Sequence, residues 1–96
     1  MNLRKSAKGQ PCLIRIPGHC THDPETVVLC HDNLESGMGM KAHDLHGAFG
    51  CHVCHAIVDG RRKVKEFTRD ELRLMFYQGM VRTQKVWLRE GMVVVR

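Results

Sequence analysis

Apolar positions in this chain come in short runs between polar stretches marked by glycine and proline. Over Cys12–Ile16, the run of Leu13, Ile14 and Ile16 predicts a brief strand. Pro17-Gly18 then turns the chain back, so that Cys12 and Cys20 are expected to face each other across a hairpin-like loop. The β-branched run Thr26–Cys30 predicts a buried strand with His31 at its exit. From Asp32 to His46 no period holds, and Gly37 and Gly39 mark a long loop; loops of that length in small domains are more often functional than idle. Gly47–Gly50 reads as a second short strand, and His52 to Asp59 as a short helix stopped by Gly60.

The last third has a clear helical start. Thr68-Arg-Asp-Glu71 carries the spacing of a capping box, in which hydroxyl and carboxylate satisfy open amides of the first turn. Leu72, Phe76, Met80 and Trp87 then share one face as core, while Arg82, Lys85 and Arg89 gather on another. Gly79 is expected to break or bend this helix, and Met92–Val95 to form a terminal strand after a turn at Gly91. At the other end, Arg4–Lys8 is a basic arm without periodicity, expected to be mobile until an anion or the first cysteine fixes it. These elements predict one α+β domain over residues 1–96, with a basic N-terminal arm at 1–11 and a C-terminal helix and strand over about 68–96.

Size makes a cross-link useful. A chain of 96 residues buries only about 60–65% of the surface that its unfolded form exposes. Aromatic residues are few, but five cysteines and seven histidines supply soft ligands far beyond the needs of core packing. The opening residues carry charge without an apolar h-region, so no signal peptide is expected. Nor does any apolar run approach the roughly 18 residues of a membrane span. Both features predict a cytoplasmic protein that contacts no membrane. Thiols in that compartment stay reduced, which makes closely spaced cysteines metal ligands rather than disulfides. The net charge of +5 suits a polyanionic partner such as nucleic acid, although a solvated cationic surface has the same composition.

Cys51-His-Val-Cys54 is the strongest local motif, because two cysteines separated by two residues can direct both sulfurs at one tetrahedral ion. Cys12 and Cys20 complete a four-thiolate zinc site most economically, with His19 or His22 as a substitute for one sulfur. The same residues with His55 also spell the C-x-x-C-H pattern of c-type haem attachment. Attachment usually requires export, and two further cysteines would be left over, so no haem is expected. His31, His55 and Asp59 form a second constellation. The four-residue gap on a helix puts the His55 imidazole and the Asp59 carboxylate on one face, suited to a hard cation such as Mg²⁺ or Mn²⁺. A neutral His31 could there take a proton from an attacking water. Arg61, Arg62, Lys63 and Lys65 follow directly and are candidates to contact DNA phosphates.

A strand ending in His, a loop, and then Cys-x-x-Cys-His at a helix start resembles the ββα-metal fold of HNH endonucleases. More specifically, Met1-Asn-Leu-Arg-Lys-Ser-Ala-Lys-Gly, Arg15-Ile-Pro-Gly18, and Cys54-His55 through Asp59-Gly60-Arg61 are similar to the prophage-encoded YbcO family. The resemblance runs from Met1 to about Arg62 and implies a small HNH-like nuclease domain with a structural zinc. It implies that His31 is the general base, that His55 binds the catalytic metal, and that Cys12, Cys20, Cys51 and Cys54 form the zinc knot; Asp59 rests on spacing alone. One departure bears on activity. Many HNH motifs carry an acid just before the first histidine, and this chain has Cys30. Asp44, His43, His46 or Asn33 are the candidates to replace that ligand or the motif's middle asparagine.

The expected function is thus metal-dependent hydrolysis of phosphodiester bonds in DNA. The rival is a zinc-stabilised module of phage origin that binds DNA or protein without cutting. A homodimer or a phage protein partner fits either.

Overall fold

The computed structural model describes residues 3–31 and 43–95. Along the chain these form a single turn of helix, α1 (Leu3–Ser6), strands β1 (Val28–His31) and β2 (Gly47–Gly50), and helices α2 (His52–Val58) and α3 (Arg69–Arg89), with 3-10 turns at Pro24–Thr26 and Asp44–His46. The domain is α+β, as expected. Within the expected 32–46 loop, positions 32–42 lie outside the described residues, as does Asn33.

β1 and β2 pair antiparallel, with Val28 opposite Gly50, Leu29 opposite Phe49, Cys30 opposite Ala48 and His31 opposite Gly47. Two strands of this length are marginal alone, and α3 covers them. All four residues of β2 are buried, and Phe49 meets Trp87 of α3 edge-to-face at 5.7 Å. The buried Thr83 hydroxyl accepts from the Phe49 amide at 2.9 Å and donates to the Gly79 carbonyl at 2.8 Å, which joins sheet to helix through one satisfied polar group. The capping box starts α3 as predicted: the Thr68 hydroxyl accepts from the Glu71 amide at 3.1 Å, and the Glu71 carboxylate accepts from the Thr68 amide at 2.8 Å. Phe76 and Trp87 are buried on its inner face, and Leu72 and Met80 are half-buried against the core. Lys85 and Arg89 are exposed. Arg82 instead turns inward and donates to the Leu13 carbonyl at 2.8 Å.

Four expectations are corrected. Residues 12–16 do not form a strand, because Arg15 adopts a left-handed φ of +55° that breaks the extended path. The break lets Leu13 and Ile14 both face inward with Cys12 and Ile16, all almost fully buried. One ladder-like bond remains, from the Leu13 amide to the Phe49 carbonyl at 2.8 Å. The N-terminal arm is not loose either: α1 is anchored where Trp87 Nε1 donates to the Ser6 hydroxyl at 2.8 Å, and Ala7 is buried. Met92–Val95 is no strand, since the Met92 and Val93 amides both return to the Trp87 carbonyl after the left-handed Gly91.

The fourth correction concerns Gly79, which leaves α3 unbroken from Arg69 to Arg89. Glycine is needed for close approach: a Cβ there would lie 3.0 Å from Ile14 Cα, Ile14 Cγ1 and the Leu13 oxygen. Two of those atoms are backbone and cannot swing aside. Gly79→Ala is therefore expected to destabilise the domain by about 1–3 kcal/mol through overpacking, against the gain of about 1 kcal/mol that alanine brings to an exposed helix. Urea denaturation of the two proteins measures the sign. No helix among the described residues is long and apolar enough to cross a membrane.

Candidate functional site

The four cysteines come from three local structures. Cys12 lies in the buried 12–16 segment. Cys20 follows a turn in which Gly18 takes φ +79° and the His19 and Cys20 amides both donate to the Ile16 carbonyl, at 3.2 and 3.0 Å. Cys51 is the N-cap of α2, its sulfur accepting from the Cys54 amide at 3.5 Å, so the C-x-x-C pair spans the helix's first turn. All four sulfurs lie within 4.8 Å of one another, and those of Cys20 and Cys51 are 3.9 Å apart. A zinc–sulfur bond of about 2.3 Å gives a tetrahedron with edges of about 3.8 Å, so the dimensions and the softness of the donors both suit zinc.

The histidines considered as substitutes are placed otherwise. His19 Nε2 bonds Glu66 at 3.0 Å, and His22 Nδ1 lies 3.6 Å from the Cys20 sulfur, beside the set rather than replacing a member. Protons are unevenly held within the cluster. A hydrogen bond from Cys54, followed by smaller backbone contributions, outweighs burial and holds Cys12 down to about 4, while burial above all pushes Cys20 up to about 11. The Cys54 thiol is raised, first by its hydrogen bond with Cys12 and then by burial. A dication would replace the protons these sulfurs share. Cys30 is fully buried in β1, and burial raises its thiol well above the ordinary range, as in an inert core cysteine.

At the exit of β1, His31 meets a partner from the turn before β2: His31 Nε2 bonds Asp44 Oδ1 at 2.7 Å. The hydrogen bond with His31 is also the main reason the Asp44 carboxyl is more acidic than usual. A carboxylate accepting from Nε2–H leaves the lone pair of the neutral ring on Nδ1. The turn is fixed from both sides. His43 Nδ1 accepts from the Leu45 amide at 3.0 Å, and Gln84 Nε2 of α3 donates to the Leu45 carbonyl at 2.7 Å. Sequence spacing did not separate Asp44 from His43 and His46; the structure puts Asp44 beside His31 and gives His43 the capping role.

His55 stands on α2, half-buried, and burial lowers its basicity despite the nearby Asp59. Burial thus disfavours the charged imidazolium, and the Arg61 guanidinium acts in the same direction. Asp59 caps the C-terminus of α2 and pairs with Arg61 Nε at 2.9 Å; Arg61 also reaches to 3.5 Å from His55 Nδ1. Among the described residues, the four sulfurs are the one set of three or more metal-type side chains that converges closely. His31, His55 and Asp59 do not form such a set. Arg61, Arg62, Lys63 and Lys65 are all exposed on the segment that leaves α2 through the left-handed Gly60, and the Arg62 amide ties back to the Ala56 carbonyl at 3.0 Å.

Fold and site together define a small α+β domain whose four clustered cysteines can hold a metal ion and which carries a His–Asp pair at the end of β1. The family model described as "Putative nuclease YbcO" matches residues 1–92. The chain is 39% identical over 94 residues to the protein named "Putative nuclease YbcO" in Escherichia coli (strain K12), covering 96% of each chain, and equally similar to its namesake in Enterobacteria phage 82. A solved structure described as a putative bacteriophage protein from Escherichia coli str. K-12 substr. MG1655 superposes with a TM-score of 0.80 at 36% identity, covering 94% of this chain and all of that one. The chain belongs to the YbcO family.

Proposed function

We propose that this protein is an HNH-type endonuclease that hydrolyses phosphodiester bonds in DNA, with a structural zinc on Cys12, Cys20, Cys51 and Cys54. The observation that carries the reading is the His31–Asp44 hydrogen bond of 2.7 Å at the exit of β1, in a β1-β2-α2 unit that also presents His55. The family's name and the basic surface support it.

In this mechanism Asp44 holds His31 with Nε2 protonated, leaving Nδ1 to take a proton from water. The water oxygen attacks phosphorus, the bond to the leaving sugar oxygen breaks, and that oxygen ends protonated from solvent. His55, with Asp59 if it exchanges Arg61 for the ion, would hold a divalent cation such as Mg²⁺ or Mn²⁺. Such a cation supplies charge neutralisation at the scissile phosphate and the leaving oxygen. Cys30, where many HNH motifs carry an acid, is buried against the core, and Asp44 supplies the carboxylate beside His31 instead. Arg61, Arg62, Lys63 and Lys65, all exposed after α2, would contact the DNA backbone in this reading.

The zinc-loaded protein is expected to nick supercoiled plasmid when Mg²⁺ or Mn²⁺ is added and not when both are omitted. Plasmid left intact under every divalent ion, with binding that weakens steeply in salt, would replace this reading by the non-catalytic DNA-binding module.

A further inference from the structure

α1 brings a cation to the His31 site that the sequence left on a loose arm. Leu3 is half-buried against the core, Ala7 is buried, and the Ser6 hydroxyl is held by Trp87 at 2.8 Å. So anchored, α1 packs on β1 and on the Asp44–His46 turn. Arg4 Nε then lies 3.9 Å from Asp44 Oδ1, the same oxygen that bonds His31 Nε2 at 2.7 Å. We infer that Arg4 is a phosphate-binding residue of the His31 site, gripping the DNA phosphodiester at or next to the one attacked.

Two physical arguments lead there. The Asp44 carboxylate that orients His31 also repels an incoming phosphodiester, and a guanidinium one carboxylate away from the base offsets that repulsion. Moreover, the Arg4–Asp44 contact is longer than the 2.7–2.9 Å of a charge-assisted hydrogen bond, and both side chains are more than a third exposed. An ion pair of this kind contributes little to stability. Arginine's planar fork matches phosphate geometry, and the Arg4 side chain is 58% exposed at the edge of the His31–Asp44 pair.

The inference rests on His31 marking the reaction centre, and the test separates the two. Binding of a labelled DNA duplex by zinc-loaded wild type, Arg4→Ala and Arg4→Lys is measured over a salt series without Mg²⁺ or Mn²⁺, alongside thermal melts. Arg4→Ala is expected to bind roughly ten- to hundredfold more weakly and to lower the slope of log affinity against log salt by about 1. Arg4→Lys is expected to restore the slope, with all three proteins melting together. An unchanged slope and affinity in Arg4→Ala would overturn the inference even if wild type cuts DNA through His31. A lowered slope in a protein that never nicks plasmid would keep the Arg4 contact and remove the nuclease reading. Absence of duplex binding by wild type would overturn both.

Discussion

Removing the metal from the four-cysteine site, or replacing Cys54 with Ser, is expected to unfold the domain. The site joins three segments distant in sequence: the 12–16 stretch, the Cys20 turn and the first turn of α2. The first of these carries Ile14 and Ile16 into the core without strand pairing of its own beyond the Leu13 bond to Phe49. Zinc bound to small cysteine sites contributes about 10–16 kcal/mol, whereas whole domains are stable by only about 5–15 kcal/mol. Loss of the ion also leaves the four clustered sulfurs to share protons in a buried space. Circular dichroism melts should therefore show a cooperative transition with about one zinc per chain, its loss on chelation, and its return when zinc is added back. A chelated protein that melts cooperatively at the original temperature would refute a structural role for the metal.

The elements legible in the sequence are those with local causes. Glycine boundaries delimit β2, the β-branched run locates β1 although the strand begins at Val28 rather than Thr26 and includes His31, the Thr68–Glu71 spacing starts α3, and Cys51-x-x-Cys54 marks half of the four-cysteine cluster. What the pattern missed depends on contacts distant in sequence. Arg15's left-handed backbone turned a predicted strand into a buried irregular segment. The bond between Ser6 and Trp87 ordered an arm that has no periodicity of its own. Gly79 looked like a break because its neighbours in space, Leu13 and Ile14, are invisible from its neighbours in sequence. The same limit holds at the site: spacing does not distinguish His43, Asp44 and His46, and only the packing of the turn before β2 against β1 sets Asp44 on His31.

His31→Ala is expected to lower DNA cleavage by a factor of about 10²–10⁴, the range for loss of a general base, with duplex binding retained. The histidine is well placed for such a loss of rate without loss of fold. It ends β1 opposite Gly47, its side chain is only 21% exposed, and its ring bonds Asp44 rather than filling the core. Truncation leaves Asp44, 37% exposed, able to take its hydrogen bonds from water, so the cost to stability is expected to be about 1–3 kcal/mol from the lost ring packing and hydrogen bond. The four-cysteine site, to which His31 contributes no ligand, keeps Cys12, Cys20, Cys51 and Cys54. A mutant that retains full activity would exclude His31 as the base, and one that fails to melt cooperatively would make the activity comparison meaningless as a test of chemistry.

The most direct test of the central claim is nicking of supercoiled plasmid by wild type and His31→Ala, purified side by side and zinc-loaded, with Mg²⁺, Mn²⁺, Co²⁺, Ni²⁺ or extra Zn²⁺ in separate reactions. Metal-dependent nicking by wild type that falls at least a hundredfold in the mutant is the result expected of a nuclease whose base is His31. Equal nicking by both proteins would contradict that assignment, and intact plasmid in every reaction would contradict the nuclease itself.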